Sequence, residues 1–147
     1  MPNEVFVVHG RDKAQLNEVC LVMKQLGLKP VVLMEKADRG RTIIEKFEQH
    51  SDVGYAVVLM TPDDEGRLRG TGNLNPRVRQ NVIFELGFFY GKLGRQNVCA
   101  ILKEGAEFPS DIQGVIYKVA DPAGAWKLEL AKEMKDAGIE IDLNRLA

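Results

Sequence analysis

Short unbroken apolar runs alternate along the chain with longer stripes of helical period. Val5–Val8 is an apolar, β-branched run closed by His9-Gly10, which is the pattern of a strand buried on both faces. Asp12 stands where a helix N-cap belongs, and Leu16, Val19, Cys20, Met23 and Leu26 recur at helical spacing until Gly27 ends the stripe. Pro30 opens a second strand, Val31–Met34, and the polar turn KADRGRT follows it. Thr42 with Glu45 three residues on has the spacing of a capping box for a helix from Ile43 to about Gln49. Tyr55–Met60 reads as a third buried strand, followed by a long polar loop, Thr61–Pro76. Loops longer than about 12 to 15 residues are more often functional or mobile than idle.

The segment Arg77–Gly94, RVRQNVIFELGFFYGKLG, is the element around which the rest is arranged. On a helix, Val78, Val82, Leu86, Phe89 and Leu93 line one core-facing stripe. Val98–Leu102 predicts a fourth strand and Val115–Val119 a fifth. Between them Pro109-Ser110-Asp111 can start one short helical turn, which Gly114 breaks. The last helix, Ala125–Ala137, presents Trp126, Leu130, Met134 and Ala137 at helical spacing and stops at Gly138. Five strands alternating with helices predict an α/β fold, an open parallel sheet with helices on both faces. Ligands of such sheets bind beyond the carboxyl ends of the strands, where the strand order reverses. The loops to watch are therefore His9–Asp12, Lys36–Thr42 and Thr61–Pro76.

Glu85 sits at the border of the central stripe, with Val78, Val82, Phe88 and Phe89 as its helical neighbours. Desolvating an ionised carboxylate is costly, so a residue placed there finds donors, keeps a route to water, or holds its proton at raised pKa. Any of these makes it chemically useful; the plain alternative is a rim glutamate whose carboxyl points to solvent. Phe84 and Phe88 extend apolar surface away from the stripe. A monomer exposes them unless the loop Thr61–Pro76 or the following helix covers them, and adjacent exposed aromatics mark an interface or a ligand surface.

Composition narrows the choices. The chain has 147 residues, 45% of them hydrophobic, enough for one ordinary domain with a core and no room for a second. Its net charge of −1 gives no global reason to bind nucleic acid or an anionic membrane. The two cysteines, Cys20 and Cys99, form no CxxC pair and read as small buried hydrophobes, which speaks against a zinc site or disulfide framework and fits a reducing cytoplasm. No apolar run is long enough to span a membrane, and the start MPNEVFVVHG lacks the layout of a signal peptide, so a soluble, unexported, cytoplasmic protein is expected. Against this neutral background, three loops at the predicted ligand edge gather His9, Arg11, Asp12, Arg39, Arg41, Arg67 and Arg69. Guanidinium groups suit phosphate oxygens, although any single loop arginine is most simply a solvated charge. Gly70-Thr71-Gly72 neither follows a strand nor opens a helix, so it is no dinucleotide fingerprint, and GxSxG and Walker A motifs are absent. His9 could act as a base or simply pack at a strand end.

The stretches VFVVHGRD, GRTIIEKFE, YAVVLMTPDDEG, RVRQNVIFELGFFYGKLG and PSDIQGVIYKVADPAGAWKLELAKEMKDAGIEID together resemble the bacterial TIR-like (Toll/interleukin-1 receptor-like) family. Domains of that family occur alone or fused to sensor modules, STING domains included, in cyclic-nucleotide anti-phage systems. The resemblance runs over nearly the whole chain, and RQNVIFELG is its specific motif. It implies a single flavodoxin-like TIR domain over residues 1–147. The implied activity is that of an NAD+ glycohydrolase, cleaving the nicotinamide–ribose bond to give nicotinamide and ADP-ribose, linear or cyclic. It further implies that Glu85 is catalytic, that His9, Gly10 and Arg11 help hold the nucleotide, and that the loop Asp38–Arg41 gates the site. Asp12, Arg41 and Asn81 complete the expected substrate-binding set. NAD+ enters as substrate, with no cofactor and no metal. Animal NAD-cleaving TIR domains tend to carry an aromatic residue one turn before the catalytic glutamate, where this chain has Asn81.

The chemistry of the residues agrees with this. Loss of nicotinamide leaves an oxocarbenium-like sugar that a nearby carboxylate stabilises, and nicotinamide departs as a neutral ring, so no acid need protonate it. The expected partners are NAD+, further copies of the chain through TIR–TIR contacts, and a fused or separate cyclic-nucleotide sensor, with neither nucleic acid nor membrane. The same fold also serves non-catalytic TIR adaptors and nucleotide-binding sensor modules, so the site and not the fold must decide.

Overall fold

The run Val5–Val8 is fully buried because the strand that carries it lies inside a sheet, with a neighbour on each side. The computed structural model describes residues 3–33, 43–109 and 117–147. In chain order its elements are β1 (Glu4–Val8), α1 (Lys13–Gln25), β2 (Lys29–Leu33), α2 (Ile43–Gln49), β3 (Ala56–Met60), β4 (Asp64–Gly66), β5 (Asn75–Arg77), α3 (Gln80–Leu93), β6 (Val98–Leu102), β7 (Tyr117–Val119) and α4 (Ala125–Asp136). Five strands form one parallel sheet in the order β2-β1-β3-β6-β7. The architecture is the α/β arrangement of the flavodoxin-like TIR fold.

Period-2 alternation sorts the strand residues onto two cores. Val5, Val7, Val57, Leu59, Cys99 and Ile101 face α1 and α4, whose Val19, Met23, Trp126, Leu130 and Met134 close over them. Phe6, Val8, Ala56, Val58, Met60, Val98 and Ala100 face α3, with Val82, Leu86 and Phe89, and the half-buried Ile43 and Phe47 of α2. Among the described residues, helices thus cover both faces, two to a side. A short 3-10 turn, Leu143–Leu146, packs against the first of these cores.

Several boundaries differ from those the pattern predicts. The central helix starts at Gln80, not Arg77: Arg77 belongs to β5, and the Val78 N–H donates to the Glu107 carbonyl at 2.9 Å. Val78 is buried in the same core all the same, so it fits the helical period without being helical. Thr61–Pro76 is not a plain loop but holds the antiparallel hairpin β4–β5, with Asp64 opposite Arg77 and Gly66 opposite Asn75. β2 begins at Lys29 and runs through Pro30, which an edge strand tolerates. Cys99 is fully buried, whereas Cys20 on α1 is only partly so. Met34, Thr42, and the predicted turn and strand residues from Ser110 to Ile116 lie outside the described residues. Among the described residues no helix is long and apolar enough to cross a membrane.

Candidate functional site

From β1 the chain passes to β2 on one side of the sheet, and from β3 to β6 on the other, so the strand order reverses between β1 and β3. The loops that leave these two strands meet at their carboxyl ends, the edge at which ligands of such sheets bind. Asp12 stands at this edge as the N-cap of α1. Its carboxylate accepts the Gln15 N–H at 3.0 Å, capping α1, and pairs with the Lys103 ammonium at 2.7 Å just past the end of β6. The Lys103 bond, then the cap bond, hold the Asp12 carboxyl below the usual carboxylate range, while Asp12 raises the pKa of Lys103. Beyond β3, Asp63 Oδ2 accepts from the Thr61 hydroxyl at 2.6 Å and from the Arg11 backbone N–H at 2.9 Å.

His9 stands at the end of β1, with Nδ1 2.8 Å from the carbonyl of Gly10. A carbonyl only accepts, so Nδ1 carries the proton and a neutral ring presents Nε2 as an acceptor. That Nε2 is buried and has no partner among the described residues. The Arg11 side chain is exposed at the same edge.

Glu85 and Asn81 approach this edge from α3. The helix leaves the β4–β5 hairpin beside the carboxyl end of β3 and leads to β6 at the opposite edge, so its first turns lie highest. Phe89 packs on Phe6 of β1 with ring centroids 5.1 Å apart. Four residues back along α3 rise about 6 Å and two residues onward along β1 about 6.6 Å, which brings Glu85 to the level of Val8, one residue short of His9. Glu85 is half-buried and Asn81, one turn higher, is exposed. Phe88, three residues on from Glu85, meets Phe47 of α2 edge to face at 5.5 Å, so the Glu85 flank of α3 is the one turned toward α2.

The site residues read from the sequence thus separate into three groups. His9, Gly10, Arg11 and Asp12 share the carboxyl edge of the sheet, Glu85 and Asn81 rise beside it on α3, and Asp38, Arg39 and Arg41 lie outside the described residues. Arg67, counted with the anion-binding loops, instead donates to the Gly72 carbonyl at 2.7 Å inside its own hairpin. Thr61, Asp63 and Lys103 were not among the sequence candidates, and the T-P-D-D turn directly after the third strand is the one local signal that marks two of them. Burial pushes the Cys99 thiol up to about 12, which leaves it inert near neutrality. Among the described residues no three of His, Cys, Asp and Glu come together as a metal site. A cavity of about 600 Å³ lined by Arg77, Gln80, Ile83, Glu107 and Phe108 opens on α3 as well. Ile83 is 200° round the helix from Glu85, so this cavity belongs to the opposite flank.

The profile of the family described as "CAP12/Pycsar effector protein, TIR domain" matches residues 4–121, from β1 to the turn before α4. The chain belongs to this TIR-domain family. The TIR domain is 45% identical over 143 residues to the uncharacterized protein YuaY of Escherichia coli K12, covering 97% of this chain and 48% of that protein. It is 32% identical over 127 residues to protein tirC of Dictyostelium discoideum, covering 78% of this chain and 62% of that one. A shorter match, 39% identical over 70 residues, joins 46% of this chain to 22% of the Pycsar effector protein PaPycTIR of Pseudomonas aeruginosa. The chain therefore spans less than two thirds of the length of each of these relatives.

Proposed function

We propose that this TIR domain is an NAD+ glycohydrolase acting as an antiviral effector, with Glu85 as its catalytic carboxylate. The observation that carries the reading is the position of Glu85, half-buried on α3 at the height where β1 ends and the His9–Asp12 loop begins. Family membership supports it, since the matched profile is that of an effector TIR domain. In the reaction the bond from the anomeric carbon to the nicotinamide nitrogen breaks, and its electron pair leaves with the ring. The ribose carbon takes up the resulting positive charge, which the Glu85 carboxylate opposes. Water then adds to that carbon and gives up a proton, yielding ADP-ribose; addition of a hydroxyl or ring nitrogen from the same nucleotide gives the cyclic product instead. His9, Gly10, Arg11 and Asn81 hold the nucleotide, with Arg41 joining them from the gating loop. The first α1 turn contributes through Asp12, whose pairing with Lys103 fixes the loop. Copies of the domain assemble, and a cyclic-nucleotide sensor, fused or separate, governs that assembly.

Incubation of concentrated protein with NAD+, followed by chromatography for free nicotinamide, tests the reading. Glu85→Gln is expected to lower the rate by about a hundredfold or more while leaving the domain folded, because the carboxylate supplies several kcal/mol to the transition state and little to the core. Full activity in a folded Glu85→Gln protein would sink the mechanism. A non-catalytic assembly module is the second reading, and the 62% exposure of Phe84 beside Glu85 favours it; wild-type protein that assembles and releases no nicotinamide establishes it.

A further inference from the structure

Asp63, in the loop beyond β3, joins two loops at the carboxyl edge of the sheet. One of its oxygens, Oδ2, takes both the Thr61 hydroxyl at 2.6 Å and the Arg11 backbone N–H at 2.9 Å, the latter spanning 52 residues of sequence. Thr61 is itself buried at the end of β3, so the anchor for this carboxylate is the sheet. Gly10 completes the arrangement. Its φ lies outside the left-handed region, so glycine is not needed there for its conformation. A Cβ at that position would, however, run into Asp63 Oδ2 and lie 3.4 Å from the Thr61 hydroxyl. Glycine is required because the carboxylate comes up against the backbone itself.

We infer that Asp63 is the positioning residue of the nucleotide-binding loop, tying His9–Arg11 to the end of β3 through one carboxylate oxygen. The inference rests on the glycohydrolase reading for its substrate. Backbone N–H bonds to a carboxylate are stronger than neutral ones and have a fixed direction. With Arg11 N–H held and Gly10 pressed on the same oxygen, the loop has one conformation before any ligand arrives, and binding NAD+ does not have to order it. Asp63 makes no contact with the bond that breaks. Its loss is therefore felt in substrate binding and not in the chemical step.

The test compares wild type, Asp63→Ala, Asp63→Asn, Gly10→Ala and the double variant Gly10→Ala/Asp63→Ala by nicotinamide release, with exchange of the Arg11 amide followed by NMR. Asp63→Ala is expected to speed that exchange and raise KM for NAD+ about tenfold with kcat within about twofold. Asp63→Asn keeps an oxygen where both donors point and returns KM to within about threefold of wild type. Gly10→Ala raises KM by displacing Asp63, and the double variant is no worse than the poorer single one, because the clash and the tether are removed together. The proposal is overturned by an unchanged KM in folded Asp63→Ala, by an Arg11 amide no less protected in that variant, or by multiplying effects in the double. If wild type releases no nicotinamide, the glycohydrolase reading fails and NAD+ dissociation constants replace KM. A weakening of about tenfold in Asp63→Ala that Asp63→Asn restores then supports the tether, and equal or undetectable binding throughout overturns it.

Discussion

Asp12 caps a helix through one oxygen and holds a lysine 91 residues away through the other. The two roles can be separated, because asparagine caps as well as aspartate but cannot pair with an ammonium. The folded Asp12 carboxyl lies below its unfolded value of about 3.9, so its contribution is complete above that pH and is lost as pH falls through the folded value. Lys103 is shifted the other way, and its share is lost only as pH rises through its raised value. Asp12→Asn is accordingly expected to lower stability at pH 7 by about 0.2 to 1 kcal/mol, the range of an ion pair open to solvent, since the Lys103 side chain is half exposed. Urea midpoints measured at pH 7 and below pH 3 check this, and the gap between variant and wild type should close at the acid end. Asp12→Ala loses the cap as well and costs about 1 kcal/mol more, a part that salt does not remove. At this scale the sequence shows the cap, which is local, and hides Lys103 and Asp63, whose bonds to the first loop depend on which strand ends the sheet brings together.

Strands buried on both faces were the most legible elements, since Val5–Val8, Tyr55–Met60 and Val98–Leu102 are continuous apolar runs that no other structure accommodates as simply. The hairpin β4–β5 escaped notice for the opposite reason. Its strands, Asp-Glu-Gly and Asn-Pro-Arg, carry no alternating apolar face. It is held instead by its own backbone pairing, by the Arg77–Glu107 ion pair at 3.3 Å, and by the Glu107 N–H bond to the Pro76 carbonyl at 2.9 Å. The helix α2 is the least anchored of the four: none of its residues is fully buried, and Phe47, against Phe6, Phe88 and Phe89, is its principal attachment. Phe47→Ala is expected to cost about 2 kcal/mol, less than a fully buried phenylalanine would. Hydrogen exchange should quicken in α2 first while β1, β3 and β6 keep their protection. Uniform loss of protection across the sheet would show instead that α2 unfolds only with the whole domain. The same ring explains why Phe88, expected on the surface unless the long loop or the following helix covered it, is half-buried: the preceding helix covers it.

For the molecule as a whole, Phe84 is the most exposed aromatic among the described residues, at 62%, one residue before Glu85. Assembly through this part of α3 would couple the state of association to the carboxylate beside it. Specific activity of the wild-type domain is expected to rise with protein concentration, and Phe84→Ser to hold it at the low, dilute-solution value, with light scattering recording particle size alongside. Concentration-independent activity from particles that stay monomeric would leave a constitutive hydrolase. The edge of the sheet limits how such copies can join. The Lys29 N–H donates to the Asn3 carbonyl at 2.7 Å, so in an extended strand the next nitrogen, that of Pro30, faces away from β1. Along the described outer border of β2, Val32 is then left as the donor where a full strand would offer two. A strand laid against this described border finds one donor fewer than a full ladder uses, which weakens pairing there. Should copies of the domain gather at high local concentration, that missing donor disfavours strand-to-strand association through Lys29–Leu33.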